Sequence, residues 1–139
     1  MIQHTLPHRN VSTSNEYSKS QFDAAKFNEF TKGCEDTQPE IMDAIIEDTP
    51  LLLLELDKSL NANQANKTSK LIHKLKSSVS LICTDRLLNE IREFERTTIL
   101  ICTPEFLSSG RRVILKVSML LNELRQIRTE KLQCVVTNH

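Results

Sequence analysis

One histidine in the chain is set in a pattern that could perform chemistry. His73 lies in the stretch Lys67–Thr84, which contains no Gly or Pro and whose apolar residues recur at helical spacing. With a turn of about 100° per residue, Thr68, Leu71, Ile72, Leu75, Ser78, Val79 and Ile82 fall on one side. Asn66, Ser69, Lys70, His73, Lys76, Ser77 and Ser80 fall on the other, so His73 is expected to meet water, almost opposite the centre of the apolar stripe. A neutral imidazole nitrogen is a good nucleophile near neutral pH. Lys76, one turn later on the same face, could meet an anion carried on the ring. Lys70 lies one turn earlier, and the small side chains of Ser77 and Ser80 let another protein approach the imidazole. No Asp or Glu occurs between Lys58 and Thr84, which argues against a self-contained hydrolase or kinase centre. The plain alternative is a solvated polar face with no task.

The run His73-Lys74-Leu75-Lys76-Ser77-Ser78 resembles the signature of histidine-containing phosphotransfer (HPt) domains, roughly His-x-Leu-Lys-Gly-Ser on a helix with an apolar back. The likeness continues through Leu81–Leu87 and through Ile91 to Glu95 at the end of the next helix. Upstream, Thr49-Pro50-Leu51 to Leu60 is similar to the run in the family's preceding helix, so the resemblance covers roughly residues 39–97 and, more loosely, the last helix. Two family glycines are replaced, one by Ser77 and one by Cys83. At Cys83 the turn is expected to form without the residue that best tolerates a left-handed backbone.

The resemblance implies a phosphoryl carrier in a multistep two-component phosphorelay, not an enzyme in its own right. His73 would be phosphorylated by, and would donate to, aspartates of receiver domains of response regulators or hybrid histidine kinases. Lys76 is expected to contact the phosphoryl oxygens. Ser69, Lys70, Lys74, Ser77, Ser80 and Leu81 are the expected docking surface. No cofactor or metal site is expected on this chain, since magnesium would be supplied by the receiver. Two other readings stay open: a helical interaction module that keeps the fold without the relay, and a phosphoacceptor segment of a histidine kinase. Against the latter, Lys74 follows His73 where those segments usually carry an acidic residue.

Composition sets the frame for these elements. The 139 residues are 39% apolar and 26% charged, as in one ordinary globular domain. Eighteen basic and eighteen acidic residues cancel, which offers no electrostatic case for nucleic acid or a membrane surface as partner. Two Gly, four Pro and few aromatics favour helices. The longest apolar run, Leu51–Leu54, is too short to span a bilayer, and residues 1–20 lack a signal-peptide core, which points to the cytoplasm. A monomer is expected. Cys34, Cys83, Cys102 and Cys134 are scattered without metal-ligand spacing, and read as buried small residues or idle thiols.

The elements that must position His73 can be laid out from pattern and punctuation. Residues 1–17, with His4 and His8, are expected to form a mobile tail. A first helix is expected from Ser18 or Lys19 to Lys32, stopped by Gly33. A second starts near Thr37-Gln38-Pro39 and runs to Asn61, with a kink or short break at Pro50. After the His73 helix, Thr84 or Asp85 caps a helix to about Thr97. The Ile- and Leu-rich run Thr97–Cys102 is a connection without a clear role, and Thr103-Pro104-Glu105 opens the last helix. Gly110 is a candidate break in it. The domain is expected to span residues 18–133, with a tail at 134–139. Together these describe an all-α, antiparallel four-helix bundle with an additional short N-terminal helix.

Overall fold

A computed structural model describes residues 19–98 and 103–138, with side chains to Glu130. Five helices follow in order: α1 Ala24–Thr31, α2 Thr37–Asn61, α3 Ala65–Val79, α4 Asp85–Arg96 and α5 Pro104–Asn138. Among the described residues there is no strand, only an isolated antiparallel bridge between Phe22 and Cys83. Both α2 and α4 pack against α3 and α5, which closes a ring of four. The connection Ala62–Gln64 is short enough to return α3 antiparallel to α2, with Asn63 taking the left-handed conformation at φ 55° that Asn tolerates. The architecture is the expected bundle with α1 as the extra helix. The expected tail at 1–17 and residues 99–102 of the Ile- and Leu-rich connection lie outside the described residues.

Each helix turns its apolar stripe toward a common core. In α3 that stripe is Leu71, Ile72, Leu75 and Val79, all buried, with Leu75 fully enclosed. Facing it are Leu53, Leu56 and Leu60 of α2, Leu87, Ile91 and Phe94 of α4, and Val117, Leu120 and Leu124 of α5. Thr68 lies on the same side of α3 and is fully buried, and its hydroxyl shares a 2.8 Å hydrogen bond with Ser59 of α2. Two polar groups thus enter the core without loss of partners. One charge does so as well: Lys116 on the inner side of α5 is buried, with Nζ 2.6 Å from the Glu90 carboxylate of α4.

Several expected boundaries move. The first helix begins at Ala24, not Ser18 or Lys19, because Ser20–Phe22 is drawn out as an extended strap. The Glu123 carboxylate of α5 accepts the Gln21 and Phe22 backbone N–H groups at 2.7 and 3.0 Å and the Ser20 hydroxyl at 2.9 Å. The strap then pairs with the turn after α3, Asp23 N–H donating to Ile82 and Thr84 N–H to Gln21, both at 2.9 Å. This pairing explains why Cys83 needs no left-handed backbone. Among the described residues the positive-φ ones are Lys32, Asn63 and Gly33, and Cys83 is instead buried in the bridge. The His73 helix itself ends at Val79, short of Thr84. No break occurs at Pro50: α2 runs through it, since Ile45 and Thr49 before it and Leu53 and Leu56 after it are buried on one side. The last helix likewise continues past Gly110 and through residues 134–138, where a tail was expected.

Gly110 is required by packing, not by flexibility. A Cβ there would lie 2.8 Å from Leu60 Cδ1 and 2.8 Å from Phe94 Cζ. Phe94 is stacked on Phe106 with ring centroids 4.6 Å apart, which limits its retreat. Helix propensity alone favours Ala over Gly by about 1 kcal/mol. The close approach should outweigh that gain, so Gly110→Ala is expected to destabilise the bundle by about 1–3 kcal/mol in denaturant unfolding. A gain in stability would show that the two side chains yield freely.

Candidate functional site

Burial of the α3 stripe sends His73 outward, where its side chain is 67% exposed. One turn on, Lys76 is half-buried along the α3–α4 seam. Opposite them on α4 stands Glu95. Its Oε1 accepts from Lys76 Nζ at 2.6 Å, and its Oε2 lies 3.3 Å from His73 Nδ1. A single carboxylate, 23% exposed, therefore joins the imidazole and the ammonium. The placement of Glu95 follows from α4: Thr84 caps it by accepting from Leu87 N–H at 3.2 Å, and the burial of Leu87, Ile91 and Phe94 fixes its rotation. Glu95 is next to Phe94, so it sits at the edge of the buried face, beside α3.

The arrangement has a definite electrostatic logic. The Lys76 hydrogen bond, and after it that of His73, hold the Glu95 carboxyl below the usual carboxylate range against the opposing pull of burial. An ionised carboxylate can only accept hydrogen bonds, so His73 Nδ1 must carry the proton that faces it. In the neutral ring the free lone pair is then on Nε2. The two contacts of Glu95 thus set an oriented imidazole beside a cation. A sequence motif around His73 could not show this, because Glu95 comes from the next helix.

None of the expected docking residues is buried. Lys70, Lys74 and Ser77 are exposed, and Ser69 and Ser80 are half-buried. Leu81 is 45% exposed but belongs to the turn after α3, not to the helix. Lys26 of α1 reaches the same end, with Nζ 3.3 Å from the Ser80 carbonyl and 2.9 Å from the Asp85 carboxylate. The sequence pattern gave no sign of it. Cys83 is buried, and burial pushes its thiol up to about 11, so it is an inert packing residue. Cys34 is exposed, its thiol held below its ordinary value by the Thr37 hydroxyl. Among the described residues no group of three or more His, Cys, Asp or Glu side chains is placed to hold a metal ion. No helix among them is long and apolar enough to cross a membrane. His4, His8, His139 and Cys102 lie outside the described residues, and Cys134 outside the described side chains.

No family model and no curated protein matches the sequence. Among solved structures, the fold is similar to the crystal structure of histidine-containing phosphotransfer protein B (HptB) from Pseudomonas aeruginosa PAO1. The TM-score is 0.68, with 17% identity over 79% of this chain and 96% of that one. The two chains share a helical fold.

The carboxylate between the Lys76 ammonium and the His73 imidazole has a pH signature. Because its pKa is lowered on folding, Glu95 contributes stability that is present above the ordinary Glu value and fades as pH falls through the depressed folded value. Lys76→Ala removes the leading cause, so the Glu95 titration followed by carboxyl-carbon NMR should move up toward the ordinary value. An unchanged titration would mean that the ammonium does not govern this carboxylate.

Proposed function

We propose that the chain is a histidine phosphotransfer protein, carrying a phosphoryl group between receiver-domain aspartates in a multistep two-component phosphorelay. The observation that carries this reading is the exposed His73, with its Nδ1 facing Glu95 and Lys76 alongside. It is supported by the sequence motif around His73 and by the helical likeness to a phosphotransfer protein. The reading includes a cytoplasmic monomer whose partners are receivers of response regulators or hybrid kinases.

In this mechanism Nε2 attacks the phosphorus of an aspartyl phosphate. The Nε2–P bond forms as the bond from phosphorus to the aspartate oxygen breaks, and the aspartate departs as a carboxylate. Magnesium on the receiver would neutralise charge on the transferring group. The Nδ1 proton stays in place, now on a ring that has gained positive character, and the Glu95 carboxylate compensates it. In the return direction the ring can leave as neutral imidazole because that proton never departed. Lys76 opposes this retention, since its own charge disfavours a cationic ring, but it turns toward the phosphoryl oxygens as they arrive. Lys70, Lys74, Ser69, Ser77, Ser80 and Leu81 would contact the receiver, and the small serines let its aspartate come close.

His73→Gln is expected to abolish acid-labile labelling from a phosphorylated receiver while helical content stays unchanged. Persistent labelling of that variant would place the acceptor elsewhere. Ser77→Tyr should block transfer sterically in a folded bundle; transfer at the parent rate would remove this face as the docking surface. Glu95→Gln should slow return transfer, on the order of a hundred-fold. The loss should deepen as pH rises, because the phosphorylated ring then sheds its Nδ1 proton sooner. Parallel pH profiles of return transfer for parent and variant would contradict the role given to Glu95.

A further inference from the structure

The extended strap Ser20–Phe22 joins α5 to the turn after α3. On the α5 side, the half-buried Glu123 carboxylate accepts the Gln21 N–H on both oxygens, at 2.7 and 3.0 Å. It also accepts the Phe22 N–H at 3.0 Å and the Ser20 hydroxyl at 2.9 Å. Hydrogen bonds to a carboxylate are roughly twice as strong as those between neutral groups. On the other side the strap completes the backbone of the turn. The Ile82 and Cys83 N–H groups already bond the Val79 carbonyl, and the strap pairs the Ile82 carbonyl and the Thr84 N–H.

Ser80 and Leu81, two of the residues assigned to receiver docking, lie at the start of this turn. The helix that follows the strap closes on the same place. Phe22 meets the buried Phe27 of α1 edge to face, with centroids 6.1 Å apart, and Lys26 Nζ lies 3.3 Å from the Ser80 carbonyl. Glu123 itself is remote from the phosphoryl chemistry, because α5 stands across the ring of four from α3. Its effect can reach the docking surface only through the strap.

We infer that Glu123 is a positioning residue for receiver docking: through the strap it holds the turn carrying Ser80 and Leu81 in the shape that the receiver meets. The inference rests on the phosphotransfer reading. With the strap released, the turn samples shapes that do not fit the receiver. Apparent affinity then falls by the fraction of time the fitting shape is populated. Attack by Nε2 within the bound complex is unaffected, since Glu95 and Lys76 reach the site from α4 and α3.

The test uses the full chain and Glu123→Gln, which keeps the side-chain shape but turns one acceptor oxygen into a donor. The probe is one purified receiver domain charged with acetyl phosphate and magnesium, chosen as the receiver that labels the parent chain fastest. In the variant, the Asp23 and Thr84 amides should lose most of their protection from hydrogen exchange. The receiver concentration that half-saturates single-turnover transfer should rise about three- to ten-fold, as for a fitting turn populated a third to a tenth of the time. The rate at saturating receiver should match the parent, as should labelling of His73 by phosphoramidate, which needs no protein partner. Asp43→Asn breaks another link to α5, the 2.8 Å contact with Arg128, and should leave the half-saturating concentration unchanged. Retained amide protection in Glu123→Gln would overturn the inference, as would lost protection with unchanged half-saturation. So would a saturating rate that falls together with affinity, or an equal loss of affinity in Asp43→Asn, the result of loosening the bundle at large. A parent chain that no receiver labels would overturn the phosphotransfer reading, and this inference with it.

Discussion

A helix that must bury Leu71, Ile72, Leu75 and Val79 has no freedom left in how it faces the solvent. With those four side chains in the core of the bundle, the rotation of α3 is set, and His73 emerges on the opposite side. The energy behind this constraint is large relative to the stability of a domain. Deleting one such buried leucine typically costs about 2–5 kcal/mol, so no local preference of the polar face could turn the helix. The buried Ser59–Thr68 hydrogen bond ties α3 to α2 at its beginning. The strap before α1, through the Gln21 carbonyl and the Asp23 N–H that follows it, secures the turn at its end. The histidine is exposed, but its helix is held at both ends. A rigid scaffold of this kind suits a group that is presented to a partner and not enclosed.

The same logic applied to α4 delivers Glu95. Its apolar residues lock its rotation, and the carboxylate is left at the seam, where it meets Lys76 and His73 together. The shorter of the two contacts is to lysine, so Glu95 is held chiefly by the ammonium and in turn orients the imidazole. This division matters for chemistry. A carboxylate committed to Lys76 is not the strongest possible base toward His73. In the proposed transfer, it is close enough to hold the Nδ1 proton.

What could be read from the sequence was what repeats locally. The buried stripe of α3 and a cap at Thr84 or Asp85 are set by neighbours within a turn or two, and the structure buries that stripe and takes Thr84 as the cap. Glu95 is 22 positions from His73, so its partnership depends on how α3 and α4 pack. The likeness to a family pattern ending at Glu95 marked the residue without revealing its contact. The strap was missed for the same reason: its hydrogen-bond acceptor, Glu123, lies about a hundred residues away. Gly110 and Pro50 show the opposite case. Local propensity marks a break at either, yet burial on either side of Pro50 and the approach of Leu60 and Phe94 to Gly110 keep both helices continuous.

The most direct test of the account is nitrogen NMR of the His73 ring before and after incubation with a phosphorylated receiver domain. Before the reaction, at neutral pH, the proton should be on Nδ1 and the lone pair on Nε2. Afterwards Nε2 should show coupling to phosphorus while Nδ1 retains its proton. A resting ring protonated on Nε2, or a ring that never acquires phosphorus, would contradict the assignment of His73, oriented by Glu95, as the phosphoryl carrier.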